Sequence, residues 1–300
     1  MVVAVCLLAA GQQLFYSSLF ALISDVVGAR EKDHPFAVVG MVRGACFGVG
    51  GLFAAWLLTM DALRLAVLLD AVSFVACALV LWFFVRVPHV PVVADGDVVG
   101  KVSRRFLLLI AVTGLVALAI DFFLVGVPVY VLDIGAPTWL PGVLLALNTA
   151  VSSTCGTLAV RVTRQLPRTT TLALAGWLLV LWCGLCFFAS VLPVGWRVAW
   201  LLGSALVLAA GGVLFGARVN ALAVALSPAV ARGRHLAAFQ YAFTVPGVLA
   251  PAVVALFTVG NWAPWTVVAV CAGSGAVAFR AFGARLPADV VKPGNVSARH

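Results

Sequence analysis

Charge is scarce in this sequence. Only 10% of the 300 residues are Asp, Glu, Lys or Arg, where a soluble domain carries about 25%. That deficit excludes an ordinary water-soluble enzyme, and it excludes a disordered chain, which needs charge to stay solvated. Histidine is also sparse. His34, His89, His235 and His300 stand far apart, so no convergent set for metal or acid–base chemistry is visible. The seven cysteines are scattered through apolar runs, which excludes a disulfide scaffold. Cys183 and Cys186 have C-x-x-C spacing, but no second ligand pair accompanies them, so small apolar packing residues are the better reading. No phosphate loop, H-E-x-x-H or G-x-S-x-G element occurs; ATP-driven transport and familiar hydrolase chemistry find no support. No metal and no cofactor are expected.

What fills the space is apolar. Hydrophobic residues make up 64% of the chain and the mean hydropathy is +1.17. One helical membrane span takes about 20 apolar residues. Long apolar runs predict nine, near 2–24, 37–60, 63–86, 106–131, 139–160, 170–192, 198–226, 236–258 and 263–283. The runs are continuous and lack period-two alternation, so they read as helices rather than barrel strands. The fold class expected is an all-α polytopic membrane protein, with the lipid bilayer as its main partner.

The net charge of +9 suggests nucleic acid only if the basic residues share a soluble face. They sit instead in the short breaks between runs. Of 19 Lys and Arg, 16 fall on one set of alternate loops and flanks, Arg43, Arg161, Arg164, Arg232 and Arg234 among them. Only Arg64 and Arg197 fall on the other side, and Arg218 lies within a span. Basic residues are retained on the cytoplasmic side, so the C-terminus is expected in the cytoplasm and, with nine spans, the N-terminus outside. Asn295-Val296-Ser297 fits a glycosylation pattern, and on a cytoplasmic tail it goes unused.

The apolar run starts directly after Met1, with no Lys or Arg before Arg30, unlike a signal peptide. The longest polar break, 87–105, carries Pro88, Pro91, Asp95, Asp97, Lys101, Arg104 and Arg105. It divides the chain into a three-span part (1–86) and a six-span part (106–286), followed by a tail (287–300). Two six-helix halves joined by a cytoplasmic linker are a transporter layout. On that plan the chain is about a quarter short, and three upstream helices are expected to be missing.

Local motifs point the same way. Ala21-Leu22-Ile23-Ser24-Asp25 precedes Arg30, and Asn220 and Leu222 precede Arg232-Gly233-Arg234. Ala237-Ala238-Phe239-Gln240 and Pro251 follow. In this order and topology the chain resembles the major facilitator superfamily, and within it the drug-exporter-like branch, read as that family's fourth to twelfth helices. The resemblance implies a major facilitator-type helical bundle, a small-molecule substrate, export and protons as coupling ions. Two motifs depart from the drug-antiporter pattern. Gly44 and Gly48 fit its fifth-helix motif, but Val49 replaces the proline and Leu52 and Phe53 the final glycines. Gly156, Arg161 and Arg164 fit the loop between eighth and ninth helices, but Val160 replaces its acid and Thr163 its glycine.

Charged groups within spans cost roughly 2.5–3.5 kcal/mol on insertion scales. Asp121 and Asp70 are therefore candidates for proton coupling, against a plainer reading as interfacial carboxylates. Arg218 is expected to snorkel to the cytoplasmic surface or form an interhelix salt bridge, with attraction of an anionic substrate as the alternative. Gln12, Gln13, Tyr16, Asn148, Gln240 and Tyr241 are candidate cavity groups; the plainer reading is interhelical hydrogen bonding. Gly40, Gly44 and Gly48, and likewise Gly212 and Gly216, recur every four residues and predict close helix packing. Pro246 and Pro251 would loosen their helix and permit bending. The leading expectation is a secondary transporter exporting small amphipathic molecules by alternating access. The alternatives are a transporter remnant without autonomous transport and, more remotely, a polytopic membrane enzyme.

The charge asymmetry has a direct check. Green fluorescent protein fused after residue 286 should fluoresce, and alkaline phosphatase fused there should be inactive. Active phosphatase would reverse the assigned orientation.

Overall fold

The computed structural model describes residue 11, residues 14–16, 18, 19 and 22, and then 33–60, 62–84, 102–228 and 231–286. Every regular element among them is helical: α1 (Asp33–Thr59), α2 (Leu63–Phe84), α3 (Arg104–Asp133), α4 (Leu140–Val162), α5 (Arg168–Ala189), α6 (Val194–Leu226), α7 (Arg232–Phe239), α8 (Tyr241–Ala255), a 3₁₀ turn at Leu256–Thr258, and α9 (Ala263–Gly283). Among the described residues six stretches are long and apolar enough to cross a membrane: α3, α4, α5, α6, Arg232–Thr258 and α9. The expected spans from 37–60 onward each coincide with a helix. The first expected span, most of the linker and the tail fall largely outside the described residues.

One span differs from expectation. The run at 236–258 is two helices, α7 and α8, meeting at Gln240. There the Gln240 carbonyl accepts from both Phe243 N–H (3.0 Å) and Thr244 N–H (3.0 Å). Pro246, which has no N–H to donate, lies one turn further on and is buried.

The helix ends follow from their sequences. Ser103 caps α3, its hydroxyl accepting from Phe106 N–H at 3.2 Å. At the other end Gly135 takes φ +70°. Gly135 N–H then reaches Leu132 O and Ala136 N–H reaches Val131 O, both at 3.0 Å. This pair of reversed bonds satisfies carbonyls that the last helical turn leaves open, and Pro137 follows. The chain therefore turns back tightly into α4.

The helices from α3 to α9 pack as one bundle, chiefly through α3–α8, α3–α9, α5–α9, α5–α6 and α4–α6. α1 joins it by lying against α4 and α6, while α2 touches mainly α1. Small residues set the closest approaches. A methyl added to Gly176 would lie 2.8 Å from Ala276 Cβ, and one at Gly275 would lie 2.6 Å from Val116 Cγ2. Small residues at such crossings let backbones approach, which matters where lipid removes the hydrophobic drive between helices. A cluster of rings closes one end of the bundle. Trp265 of α9 is edge-on to Tyr130 and Phe122 of α3 and to Trp182 of α5, with centroids 4.9, 5.3 and 5.6 Å apart. The Tyr130 hydroxyl donates to Cys186 O at 2.6 Å. Cys183 and Cys186 are buried in this region as free thiols, in keeping with a packing role.

Two arginines of α6 close helix ends on opposite sides. Arg197, in the first turn, donates to Leu192 O (2.9 Å), Ser190 O (3.4 Å) and Ile134 O. It thus binds carbonyls at the C-terminal ends of α3 and α5. Arg218, expected to snorkel or to form an interhelix salt bridge, does not reach the surface: it is 1% exposed. Its Nη2 donates to Val160 O (3.3 Å) and to Thr163 Oγ1 (3.0 Å) at the C-terminal end of α4. The reason is local. Open carbonyls and the negative end of the α4 dipole lie closer to the guanidinium than water does.

Replacing Arg218 by Met removes these donors while keeping an apolar stem. The loss should cost about 1–3 kcal/mol, read as a lower thermal unfolding temperature in detergent. Arg218→Lys should recover only part of it, since an ammonium lacks the planar fork. An unchanged midpoint in the Met variant would show that the contact does not hold the α4 end.

Candidate functional site

A cavity of about 300 Å³ opens among α1, α3, α4 and α6, with Tyr16 on one side. Its walls are mostly apolar: Phe36 and Phe47 from α1, Ile120, Phe123 and Leu124 from α3, Leu145 from α4 and Val213 from α6. Polar groups are few and come from three directions. Asn148, Thr149 and Ser152 lie on one face of α4, Asn220 on α6 and Arg43 on α1. A mostly apolar pocket with a few placed polar groups is the usual form of a small-molecule site, and this volume is at the small end of the range.

The glycines explain why the cavity lies where it does. Along α1, Gly44 and Gly48 sit against α4. A methyl on Gly44 would stand 3.0 Å from Ser153 Oγ, and one on Gly48 2.7 Å from Thr149 Cγ2. From the opposite wall, a methyl on Gly156 would stand 2.6 Å from Met41 Cγ and 3.1 Å from Ala37 O. Gly44 and Gly48 thus lie where an added side chain would meet α4. Gly40, Gly212 and Gly216 are different. No atom lies within 4 Å of an added methyl at any of them, and all three line the cavity. The packing expected of Gly212 and Gly216 is carried instead by Gly211, which faces Ala175 and Leu179 of α5. A repeat of small residues marks a surface without side chains; whether a neighbour or a void occupies it depends on what stands opposite.

Arg43 lies deeper in its helix than the count of basic flanks conveys. It was counted with the basic flanks, but it lies three residues from the midpoint of α1, about 5 Å along the axis. Its guanidinium carbon sits 5.0 Å from the centroid of the Tyr16 ring, a cation–π contact. Asp121 of α3 lies within its electrostatic reach. The Asp121 Oδ2 atom is buried without a hydrogen-bond partner and is 4.0 Å from where a methyl on Gly247 of α8 would stand. Asp121 thus sits between α3 and α8, beside the cavity wall formed by Ile120 and Leu124. The available signal for Arg43 was its place within an apolar run between Gly40 and Gly44. Regular loop spacing obscured it.

The other expected site residues divide clearly. Tyr16 and Asn148 line the cavity. The Asn220 side chain folds back, Nδ2 donating to Gly216 O at 2.9 Å, and leaves its buried Oδ1 without a partner. Gln240 is buried at the α7–α8 junction and Tyr241 is 62% exposed; neither lines the cavity. Asp70 is exposed on α2, its carbonyl accepting from the Ser73 hydroxyl at 2.7 Å, and is likewise remote from it. Gln12 and Gln13 lie outside the described residues. Pro251 is exposed and Pro246 buried on α8. Arg161 and Arg164 line a second cavity, of about 400 Å³, with His34 at the α1 N-terminal end. Arg232 and Arg234 occupy the first turn of α7. No group of three or more His, Cys, Asp or Glu suited to a metal occurs among the described residues.

Filling the void is a test independent of any ligand. Gly212→Leu should project into the cavity and leave the unfolding temperature unchanged or raised, because leucine favours helix over glycine. Gly156→Leu should instead drive α1 and α4 apart at a cost of about 1–3 kcal/mol. Equal effects on thermal stability would refute the assignment of one position to a void and the other to a contact.

Compared with known proteins, the chain matches the family model of the Major Facilitator Superfamily over residues 1–251. None of the curated proteins compared with it matches.

Proposed function

Because the chain belongs to the major facilitator superfamily, and is thus a multi-pass membrane transporter, we propose that it exports small amphipathic organic molecules by alternating access, in the manner of the drug-exporter-like branch. The observation that carries this reading is the cavity shared by α1 and by α3, α4 and α6. It draws its walls from both parts of the chain that flank the 87–105 break. Its lining residues lie around the middle of α3 and α4, in the first half of α1 and in the second half of α6, so the site is built between helices, as transporter sites are. A hydrophobic body finds Phe36, Phe47, Phe123 and Leu145 there, and polar substituents find Asn148, Thr149, Ser152 and Asn220. The protein acts in the cell membrane with its C-terminus in the cytoplasm, the orientation that the basic loops favour.

Coupling is assigned to Asp121 rather than Asp70. Only Asp121 stands beside the cavity, with a buried carboxylate oxygen lacking a hydrogen bond and a cation within its electrostatic field. A proton on Asp121 cancels its attraction for Arg43, and loss of the proton restores it. This gives the site two charge states that the two sides of the membrane can bias. Pro246 and the break at Gln240 lie on α8, the helix packed on the Asp121 face of α3, where a change in that carboxylate would be felt.

Inverted membrane vesicles with an acidified lumen test both parts. The wild-type protein should concentrate a fluorescent amphipath in the lumen, and a protonophore should abolish this. Asp121→Asn should still equilibrate the dye down its gradient but fail to concentrate it. Concentration that persists in the variant would remove Asp121 from coupling; no dye movement by the wild type would remove the exporter reading.

A further inference from the structure

Arg43 poses a problem that transport of amphipaths in general does not answer. A cation near the middle of a membrane helix is costly, and cavities for neutral or cationic molecules do not need one. Among the described residues lining the cavity, Arg43 is the sole side chain carrying a formal charge. The opposing carboxylate of Asp121 is not part of the lining; it lies on the α8 side of α3. A molecule in the cavity therefore meets a guanidinium directly and the carboxylate only through the wall.

The groups around Arg43 suit an anion. Its guanidinium carbon lies over the Tyr16 ring, 5.0 Å from the centroid, a cation–π contact that does not consume N–H donors. Across the cavity, Thr149 and Ser152 of α4 face the same space. The Ser153 hydroxyl, by contrast, is turned into its own helix, donating to Thr149 O at 2.7 Å. The apolar wall formed by Phe47, Phe123 and Leu124 lies beside this polar end, so a bound molecule has a charged end and a greasy end. The volume of about 300 Å³ fits one small amphipath rather than a two-chain lipid.

We propose that the transported molecules are amphipathic organic anions, with a carboxylate, sulfonate or similar headgroup on Arg43 and an apolar body against Phe47, Phe123 and Leu124. This deepens the exporter reading and rests on it. The headgroup takes the place of Asp121 as the main negative charge acting on Arg43. The planar guanidinium presents paired donors to a planar or tetrahedral oxyanion, and cationic amphipaths are repelled by the same group.

The test uses two probes that share one aryl body and carry permanent charge: an aryl sulfonate and the matching aryl trimethylammonium. Both are followed in proteoliposomes containing the full chain. Wild type should move the sulfonate at least tenfold faster than the ammonium. Arg43→Gln should lose tenfold or more of sulfonate transport, Arg43→Lys should keep an intermediate rate, and Arg43→Glu should invert the preference. Unfolding temperatures of the variants, measured alongside, should match wild type, because Arg43 is exposed to the cavity. Equal or faster movement of the ammonium, or a sulfonate rate unaffected by Arg43→Gln, overturns the anion assignment and leaves the exporter reading intact. If neither probe moves, exporter activity fails and equilibrium binding in detergent decides the rest. Sulfonate binding lost in both Arg43→Gln and the cavity-filling Gly212→Leu supports the anion site; binding absent from wild type, or unchanged in either variant, overturns it.

Discussion

A carbonyl oxygen in hydrocarbon has no water to turn to, and this single deprivation shapes most of the molecule. Within a helix each carbonyl is met by the amide four residues on, but the last turn of every helix leaves several open. Three devices close them here. Gly135 reverses the backbone at the end of α3. Arg197 gathers carbonyls from the ends of α3 and α5, and Arg218 holds the end of α4. Both arginines belong to α6 and stand twenty-one residues apart, about 32 Å along the axis. That is close to the thickness of a bilayer's hydrocarbon core, about 30 Å. One helix therefore carries two cations, each at a level where a neighbouring helix ends.

With the ends satisfied, side-chain size decides which helices meet. Gly176 and Gly275 bring α9 against α5 and α3, and Gly44, Gly48 and Gly156 bring α1 against α4. Where Gly40, Gly212 and Gly216 face nothing, the same absence of side chains yields space rather than contact. The cavity is thus a by-product of close packing beside it. Its position fixes which polar groups face the space, and among the described lining residues Arg43 alone carries a formal charge.

Much of this was legible in the sequence. Apolar runs located the helices from α1 to α9, because continuous hydrophobicity of span length has few other meanings. Membership of the superfamily was visible in the order of short motifs around Arg30 and Arg232–Arg234. Tyr16 and Asn148 stood out as polar groups in apolar runs, and both line the cavity. Less of the detail was readable, for physical reasons. Periodic glycines state only that a face is bare, so Gly48 and Gly212 look alike until the opposite helix is known. Arg218 was expected to snorkel or to form an interhelix salt bridge; that its partners are carbonyl and hydroxyl oxygens was not readable, since nothing along its own helix indicates that another helix ends beside it. Arg43 was mistaken for a flanking charge, because counting charges by loop discards depth within a helix. Gln240 and Tyr241 are neighbours in sequence, yet one is buried at a junction and the other faces outward, as a rotation of 100° per residue dictates.

The solitary position of α2 has a consequence of another kind. Every described side chain from Arg64 to Phe83 is exposed, and its contacts among the described helices are chiefly with α1. Helix tilt is ordinarily fixed by neighbours, and a helix with few of them answers to the lipid. At 22 residues, α2 is about 33 Å long. Were α2 to cross a bilayer, it would lean in a thin one and stand upright in a thick one, while α6 is held by the carbonyls that Arg197 and Arg218 bind. The two helices would then respond differently to the same membrane, and acyl-chain length would change the relation of α2 to the bundle without any ligand.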